Sequence, residues 1–134
     1  MAEPSARQGE RLTLSWTPRQ ADFDLFAKLS GDNNPIHVDP AFSAGARFGR
    51  TVSHGMLLYA RLWGLLRRRI PGMVQAEQEL MFPNPAFADE ELQFEAMVTG
   101  EGPGGTLEVA VSARRAADGE TVLSGRALLK AGAG

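Results

Sequence analysis

Three segments in the second half of the chain alternate apolar and polar residues with period two. Leu92, Phe94, Ala96 and Val98 fall on one side, with Gln93, Glu95 and Met97 between them. Leu107, Val109, Val111 and Ala113 repeat the pattern, and so do Leu123, Gly125, Ala127 and Leu129. Successive side chains of a strand point to opposite faces, so these are strands with one buried face. The glycine-rich stretch Gly100 to Gly105 and the pair Asp118-Gly119 separate them as turns, which makes an antiparallel meander. Val74 to Phe82 is a weaker strand candidate, and Arg11 to Trp16 is another near the N-terminus.

The first half carries a different period. Thr17 or Thr17-Pro18 opens a helix reaching about Leu29, with Phe23, Phe26, Ala27 and Leu29 at helical spacing. Gly55 to Ile70 is the long apolar helix. Met56, Leu57, Leu58, Tyr59, Leu62, Trp63, Leu65 and Leu66 cover nearly its whole circumference, and only Arg61 interrupts them before Arg67-Arg68-Arg69. A helix apolar all round must be enclosed. One enclosed helix with an antiparallel sheet of five or six strands implies a sheet wrapped around a helix, an α+β arrangement. The three arginines complement the dipole at the helix C-terminus, and Pro71-Gly72 ends it.

Composition narrows the setting. At 134 residues the chain is expected to be one domain, 1–134, with residues 1–8 flexible. A net charge of −2, from 14 Lys+Arg against 16 Asp+Glu, makes nucleic acid a poor main partner. The absence of cysteine removes disulfides, thiolate nucleophiles and cysteine zinc sites. Met1 to Glu10 lacks the apolar stretch of a signal peptide, and Gly55 to Leu66 is too short to span a bilayer. The expectation is a soluble cytoplasmic protein without a membrane partner.

Two segments carry chemistry. Ser30-Gly31-Asp32-Asn33-Asn34-Pro35-Ile36-His37 is rich in turn formers, so it reads equally as an ordinary turn with His37 opening the next segment. It also holds an acid and an imidazole five residues apart on a loop that Pro35 stiffens. A carboxylate and a neutral histidine can hold one water between them and move its protons. Thr51-Val52-Ser53-His54-Gly55-Met56 follows, directly before the long helix. Ser53 is the expected N-cap, and Gly55 leaves the free backbone N–H groups open to a developing oxyanion. Gly55 can equally be small because the helix start packs tightly, and His54 reads as a structural rather than a reacting group.

Phe26-Ala27-Lys28-Leu29-Ser30-Gly31-Asp32-Asn33-Asn34-Pro35-Ile36-His37-Val38-Asp39, followed by His54-Gly55-Met56-Leu57, resembles the (R)-specific enoyl-CoA hydratases, the MaoC-like dehydratases of the hot-dog fold. The likeness runs from about Gly9 to Lys130. Downstream, Phe82-Pro83-Asn84-Pro85-Ala86-Phe87-Ala88-Asp89 is similar to the family's strand-ending Phe-x-x-Pro-Val-Phe stretch, with Ala86 for the usual valine. The resemblance implies hydration of a trans-2-enoyl-CoA thioester to the (R)-3-hydroxyacyl-CoA, and the reverse dehydration. Asp32 and His37 would hold the water, the Gly55 N–H would take the thioester carbonyl, and Asn34, Ser53 and His54 would support the site. It also implies a homodimer and no prosthetic group or metal. Asp32, His37, Asp39 and His54 lack the spacing of a metal site. The alternatives are a 3-hydroxyacyl-[acyl carrier protein] dehydratase, a thioesterase, whose hot-dog members typically lack the Asn-Pro-x-His loop, and a non-catalytic acyl-CoA-binding module.

Overall fold

The computed structural model describes residues 7–132. Of the N-terminal stretch expected to be flexible, residues 1–6 lie outside the described residues, and the Arg7 N–H donates to the Glu10 carboxylate at 3.2 Å in a turn. Strands β1 (Arg11–Trp16), β2 (Met73–Met81), β3 (Leu92–Glu101), β4 (Leu107–Arg115) and β5 (Thr121–Ala131) form one five-stranded sheet in the order β1-β3-β4-β5-β2. All four pairings are antiparallel. The period-two residues face where their alternation puts them: Leu92, Phe94, Ala96 and Val98 are buried, as are Val109, Val111 and Ala113. In β5 Val122 and Leu128 are buried as well as Leu123, Ala127 and Leu129, so that strand is covered on both faces near its ends.

Four helices precede β2 among the described residues: α1 (Gln20–Ser30), α2 (Pro35–Val38), α3 (Pro40–Ala44) and α4 (Gly55–Arg69). Helix α1 starts later than expected from Thr17-Pro18. The Pro18 carbonyl accepts the Asp89 N–H at 2.7 Å, and the Asp22 carboxylate accepts the Arg19 N–H at 2.7 Å, which fixes Arg19 as the extended cap. Phe23 and Ala27 face inward, whereas Leu29, expected on the same stripe, is 75% exposed. It stands six residues from Phe23, well off the stripe that spacings of three and four define. Helix α2 begins at the end of the turn-rich stretch Ser30 to His37, and α3 lies where the sequence pattern predicts no element.

Helix α4 packs Leu58, Tyr59, Leu62 and Leu66 against the inner face of the sheet, in one cluster with Phe94, Val111 and Leu123. Each such side chain stabilises the fold by about 1.5–3 kcal/mol relative to an exposed one. The Tyr59 hydroxyl donates to Gln75 Oε1 at 2.7 Å, and burial pushes the phenol up to about 12. Enclosure of α4 by its own sheet is one-sided: Met56 is 47% exposed, and Leu57, Trp63 and Leu65 are half-buried. Arg61 breaks the apolar pattern because its guanidinium lies 4.6 Å over the Trp16 ring. Of the terminal arginines, Arg67 and Arg68 are exposed and Arg69 pairs with Glu10, while Gly72 turns the chain with φ 88°. No helix of the described residues is long and apolar enough to cross a membrane.

Strands β2 and β5 approach closely at Gly125, which pairs with Leu80. A Cβ at Gly125 would fall on the Glu79 carbonyl oxygen, a main-chain atom that cannot swing aside. Gly125→Ala is therefore expected to lower Tm by about 6–10 °C, corresponding to about 2 kcal/mol of strain in a domain of this size. Differential scanning calorimetry checks this, and an unchanged Tm would show that the two strands can separate freely.

Candidate active site

Gly31 ends α1 in the left-handed conformation, φ 85°, and its N–H returns to the Ala27 carbonyl at 2.9 Å. The chain thereby leaves α1 abruptly and enters the Asp32 loop. Local side-chain bonds shape that loop: Ser30 Oγ accepts the Asp32 N–H at 3.1 Å, and Asn34 Oδ1 accepts the Ile36 N–H at 3.1 Å as the N-cap of α2, with Pro35 at its first position. Asn34 thus does what its place in the loop suggests. One turn of α2 then carries His37 inward, where it is buried.

The two ring nitrogens of His37 have different partners. Nδ1 lies 2.8 Å from the Val52 carbonyl, which can only accept, so Nδ1 carries the proton in the neutral ring. The Nε2 lone pair then faces Asp32 Oδ2 at 3.7 Å. That distance is too long for a direct hydrogen bond but brings both acceptors within reach of a single water, which could donate one hydrogen to each. Asp32 is the exposed member, with its side chain 54% accessible.

His54 sits behind this pair. Its ring stacks on His37 with centroids 3.8 Å apart and planes inclined by 24°, and the edge of Phe26 covers it at 4.8 Å. Nε2 donates to the Asp32 carbonyl at 2.9 Å, and Nδ1 is buried without a hydrogen-bond partner. Burial holds the imidazole below its ordinary pKa and the His37 charge adds to this, against the opposing pull of the Asp32 carbonyl bond and carboxylate. Ligand atoms of Asp32, His37 and His54 all lie within 4.8 Å of one another. Near-parallel stacked rings hold their in-plane lone pairs side by side rather than converging on one ion, so the cluster has the geometry of a stack and not of a metal-binding set. Asp39 stands apart from it, because its carboxylate caps α3 by accepting the Phe42 N–H at 3.0 Å.

The N-cap of α4 is His54 and not Ser53. Ser53 turns its hydroxyl onto the His54 carbonyl at 2.9 Å, and its N–H donates to the Ala86 carbonyl at 2.8 Å. His54 makes no side-chain cap bond because its ring is turned inward to Asp32. The first-turn N–H groups, beginning with that of Gly55, are thus left without a side-chain cap. A Cβ at Gly55 would meet the Phe82 ring at 3.0 Å, so the glycine also makes room for a close neighbour.

His37, Ser53 and Gly55 open into a pocket of about 420 Å³ that is also lined by Ile36, Phe48, Leu58 and Phe82, with a predominantly apolar floor. A depression of similar volume on the outer face of the sheet, among Thr13, Gln93, Glu95 and Arg114, has no histidine and no helix start in its lining, whereas the first pocket has His37 and Gly55. Several contributors carry no mark in the sequence. Val52 acts through its carbonyl, and Gln20 donates to the His37 carbonyl at 2.8 Å while accepting from Thr51 Oγ1 at 2.7 Å. Phe82 opens the recognisable Phe-x-x-Pro stretch, and its place against Gly55 emerges only when β2 is folded onto α4.

A MaoC-like domain family model matches residues 2–119. The (R)-specific enoyl-CoA hydratase of Aeromonas caviae is 40% identical over 101 residues, covering 74% of this chain and 75% of its own. The solved (R)-hydratase from A. caviae involved in PHA biosynthesis superposes with a TM-score of 0.89 and 32% identity, covering 96% of this chain and 99% of that one. The mitochondrial 3-hydroxyacyl-[acyl-carrier-protein] dehydratase of Arabidopsis thaliana is 32% identical over 71 residues, 53% of this chain and 43% of its own. With the helix-on-sheet fold and the Asp32–His37 loop in place, the chain belongs to the MaoC-like dehydratases, hydro-lyases of the hot-dog fold.

Proposed function

We propose that the chain hydrates trans-2-enoyl-CoA to (R)-3-hydroxyacyl-CoA and catalyses the reverse dehydration, with Asp32 and His37 as the acid–base pair. The observation that carries the reading is the 3.7 Å separation of His37 Nε2 and Asp32 Oδ2, with Nδ1 already committed to the Val52 carbonyl. A water donating to both acceptors has its oxygen lone pair free for C3 of the enoyl group. The new bond is from water oxygen to C3; the water O–H bond breaks toward the pair, and a proton is returned from the pair to C2. Negative charge that builds on the thioester oxygen is met by the uncapped N–H of Gly55 at the start of α4. Asn34, Ser53 and His54 support these positions through the hydrogen bonds described above.

A homodimer of single-domain chains in the cytoplasm belongs to the same reading. Strand β2 is an edge of the sheet, with Val74 and Met81 exposed on it, and the outer side of α4 leaves Met56 uncovered. Pairing of such edges and faces removes both from water. A second reading, dehydration of 3-hydroxyacyl groups on acyl carrier protein, is favoured by the name of the Arabidopsis relative and uses the same reacting atoms. A module that binds acyl-CoA without turnover would show ligand-induced stabilisation alone.

Purified protein is expected to bleach the enoyl absorbance of crotonyl-CoA, and chiral analysis should return the (R)-hydroxy product. Asp32→Asn and His37→Gln should each lower kcat/KM by about 10²–10⁴ with the circular dichroism spectrum unchanged. Full turnover in both variants would remove these residues from the chemistry. Gly55→Ala presses on the half-exposed Phe82 ring and displaces the helix start, so kcat should fall about tenfold or more. Light scattering is expected to give twice the chain mass of 14.4 kDa, and a monomer at micromolar concentration would refute the dimer.

A further inference from the structure

His54 is the one titratable group of the site that moves no proton in the proposed chemistry, and it is the most deeply buried, with 2% exposure. Its surroundings make it an expensive residue. A buried imidazole nitrogen without a partner loses its hydration and gains nothing in return, and Nδ1 of His54 is the one such side-chain atom among the described residues. Phe23 and Phe26 approach the ring from α1 edge-on, at 6.5 and 4.8 Å, an environment that a purely apolar side chain would suit better. Retention of an imidazole there calls for something that only an imidazole does.

Two contacts supply it. Nε2 is a donor fixed on the Asp32 carbonyl, and the flat face of the ring is a platform under His37. One side chain thus spans the main chain of the acid, the ring of the base and, as N-cap of α4, the residue preceding Gly55. A carbonyl acceptor admits only Nε2–H, so the neutral ring is locked as that tautomer. A second proton would land on Nδ1, where no acceptor awaits it and where it would place a cation 3.8 Å from His37. The titratable groups facing His54 are Asp32, from the loop after α1, and His37, from α2; α1 itself presents only Phe23 and Phe26.

We propose that His54 is a positioning residue for the reaction: held as the neutral Nε2–H tautomer, it fixes the Asp32 main chain and the His37 ring at the spacing in which they share one water. This rests on Asp32 and His37 being the acid–base pair. Its neutrality matters as much as its shape, because an uncharged neighbour leaves His37 free to take up a proton.

Two substitutions separate the two contacts. His54→Phe keeps an aromatic platform and loses the donor; His54→Gln keeps a donor at the Nε2 position and loses the platform. Each is expected to lower kcat by about ten- to a hundredfold, the scale of a small misplacement of reacting groups, while KM changes less than about threefold. His54→Phe removes the orphaned nitrogen, so its Tm should stay close to that of the unsubstituted protein, which a merely structural residue would not allow. Because His54 acts through Asp32, the loss on His54→Phe should largely disappear in an Asp32→Asn background. The chain has only 2 histidines, so long-range ¹H–¹⁵N spectra resolve both rings, and His54 should stay the neutral Nε2–H form to lower pH than a solvent-exposed imidazole, because burial disfavours its cation. Overturning results are a kcat within about twofold in both variants, an undiminished loss in the Asp32→Asn background, or a His54 that is Nδ1–H or cationic at neutral pH. The spectra decide even where a variant does not fold. Full turnover by Asp32→Asn or His37→Gln alone would instead remove the acid–base assignment on which the inference stands.

Discussion

The short segment Thr51–Gly55 is where the separate parts of the site are tied together by main-chain hydrogen bonds. The Val52 N–H donates to the Ile36 carbonyl at 2.9 Å while the Val52 carbonyl takes the His37 Nδ1 proton at 2.8 Å. The Ser53 N–H reaches the Ala86 carbonyl, Val52 bridges Phe87, and His54 holds the Asp32 carbonyl. Five residues thereby join the acid–histidine loop, the stretch after β2 and the first turn of α4. Backbone groups buried in such a crossing must be paired, and here the pairs are made between the elements whose relative placement the chemistry requires. Positional accuracy in the site then comes with the folding of the core, since α4 is anchored by Leu58, Leu62 and Leu66 in the sheet.

The same view explains what was legible in the chain. Strands β3 and β4 follow from alternation because one face of each is wetter and the other is buried in the core with α4, the condition under which period two is written into the residues; in β5 it is blurred where Val122 and Leu128 are buried as well. The Asp32–His37 loop was legible because Gly31, Asn34 and Pro35 each hold a local conformation, and local bonds leave local marks. The N-cap was misread for a related reason. Ser53 has the chemistry of a cap, but its N–H is drawn to Ala86, 33 positions away, and tertiary pairing overrides a preference worth about 1 kcal/mol. Gln20, Val52 and Phe82 share that invisibility: each acts through a partner distant in sequence, and two of the three contacts involve a main-chain carbonyl that any residue could supply.

The apolar circumference of α4 exceeds what the chain's own sheet covers. The pattern requires enclosure, and the chain's own sheet provides it on the side of Leu58, Tyr59, Leu62 and Leu66. Met56 stays 47% exposed at the end of the helix nearest the pocket, and β2 is an edge of the sheet. Sequence records the total demand for burial and not who satisfies it. The surplus on α4 is the apolar surface that the proposed homodimer would take out of water.

The reacting end and the selecting end of the site are physically separate. In the proposed reaction Asp32, His37 and the start of α4 would meet only the enoyl group and its thioester carbonyl, which are the same whether the acyl chain hangs from coenzyme A or from a carrier protein. Nothing in their geometry can distinguish the two, so the discrimination must be made where the pocket meets solvent. There Phe48 is 43% exposed with the Arg47 guanidinium 5.1 Å from its ring centre, and Phe82 is 41% exposed against Gly55. Phe48 in turn meets the Phe87 ring edge-on with centroids 6.4 Å apart. Members of one fold can in this way keep a single chemistry and change the molecule that brings the substrate.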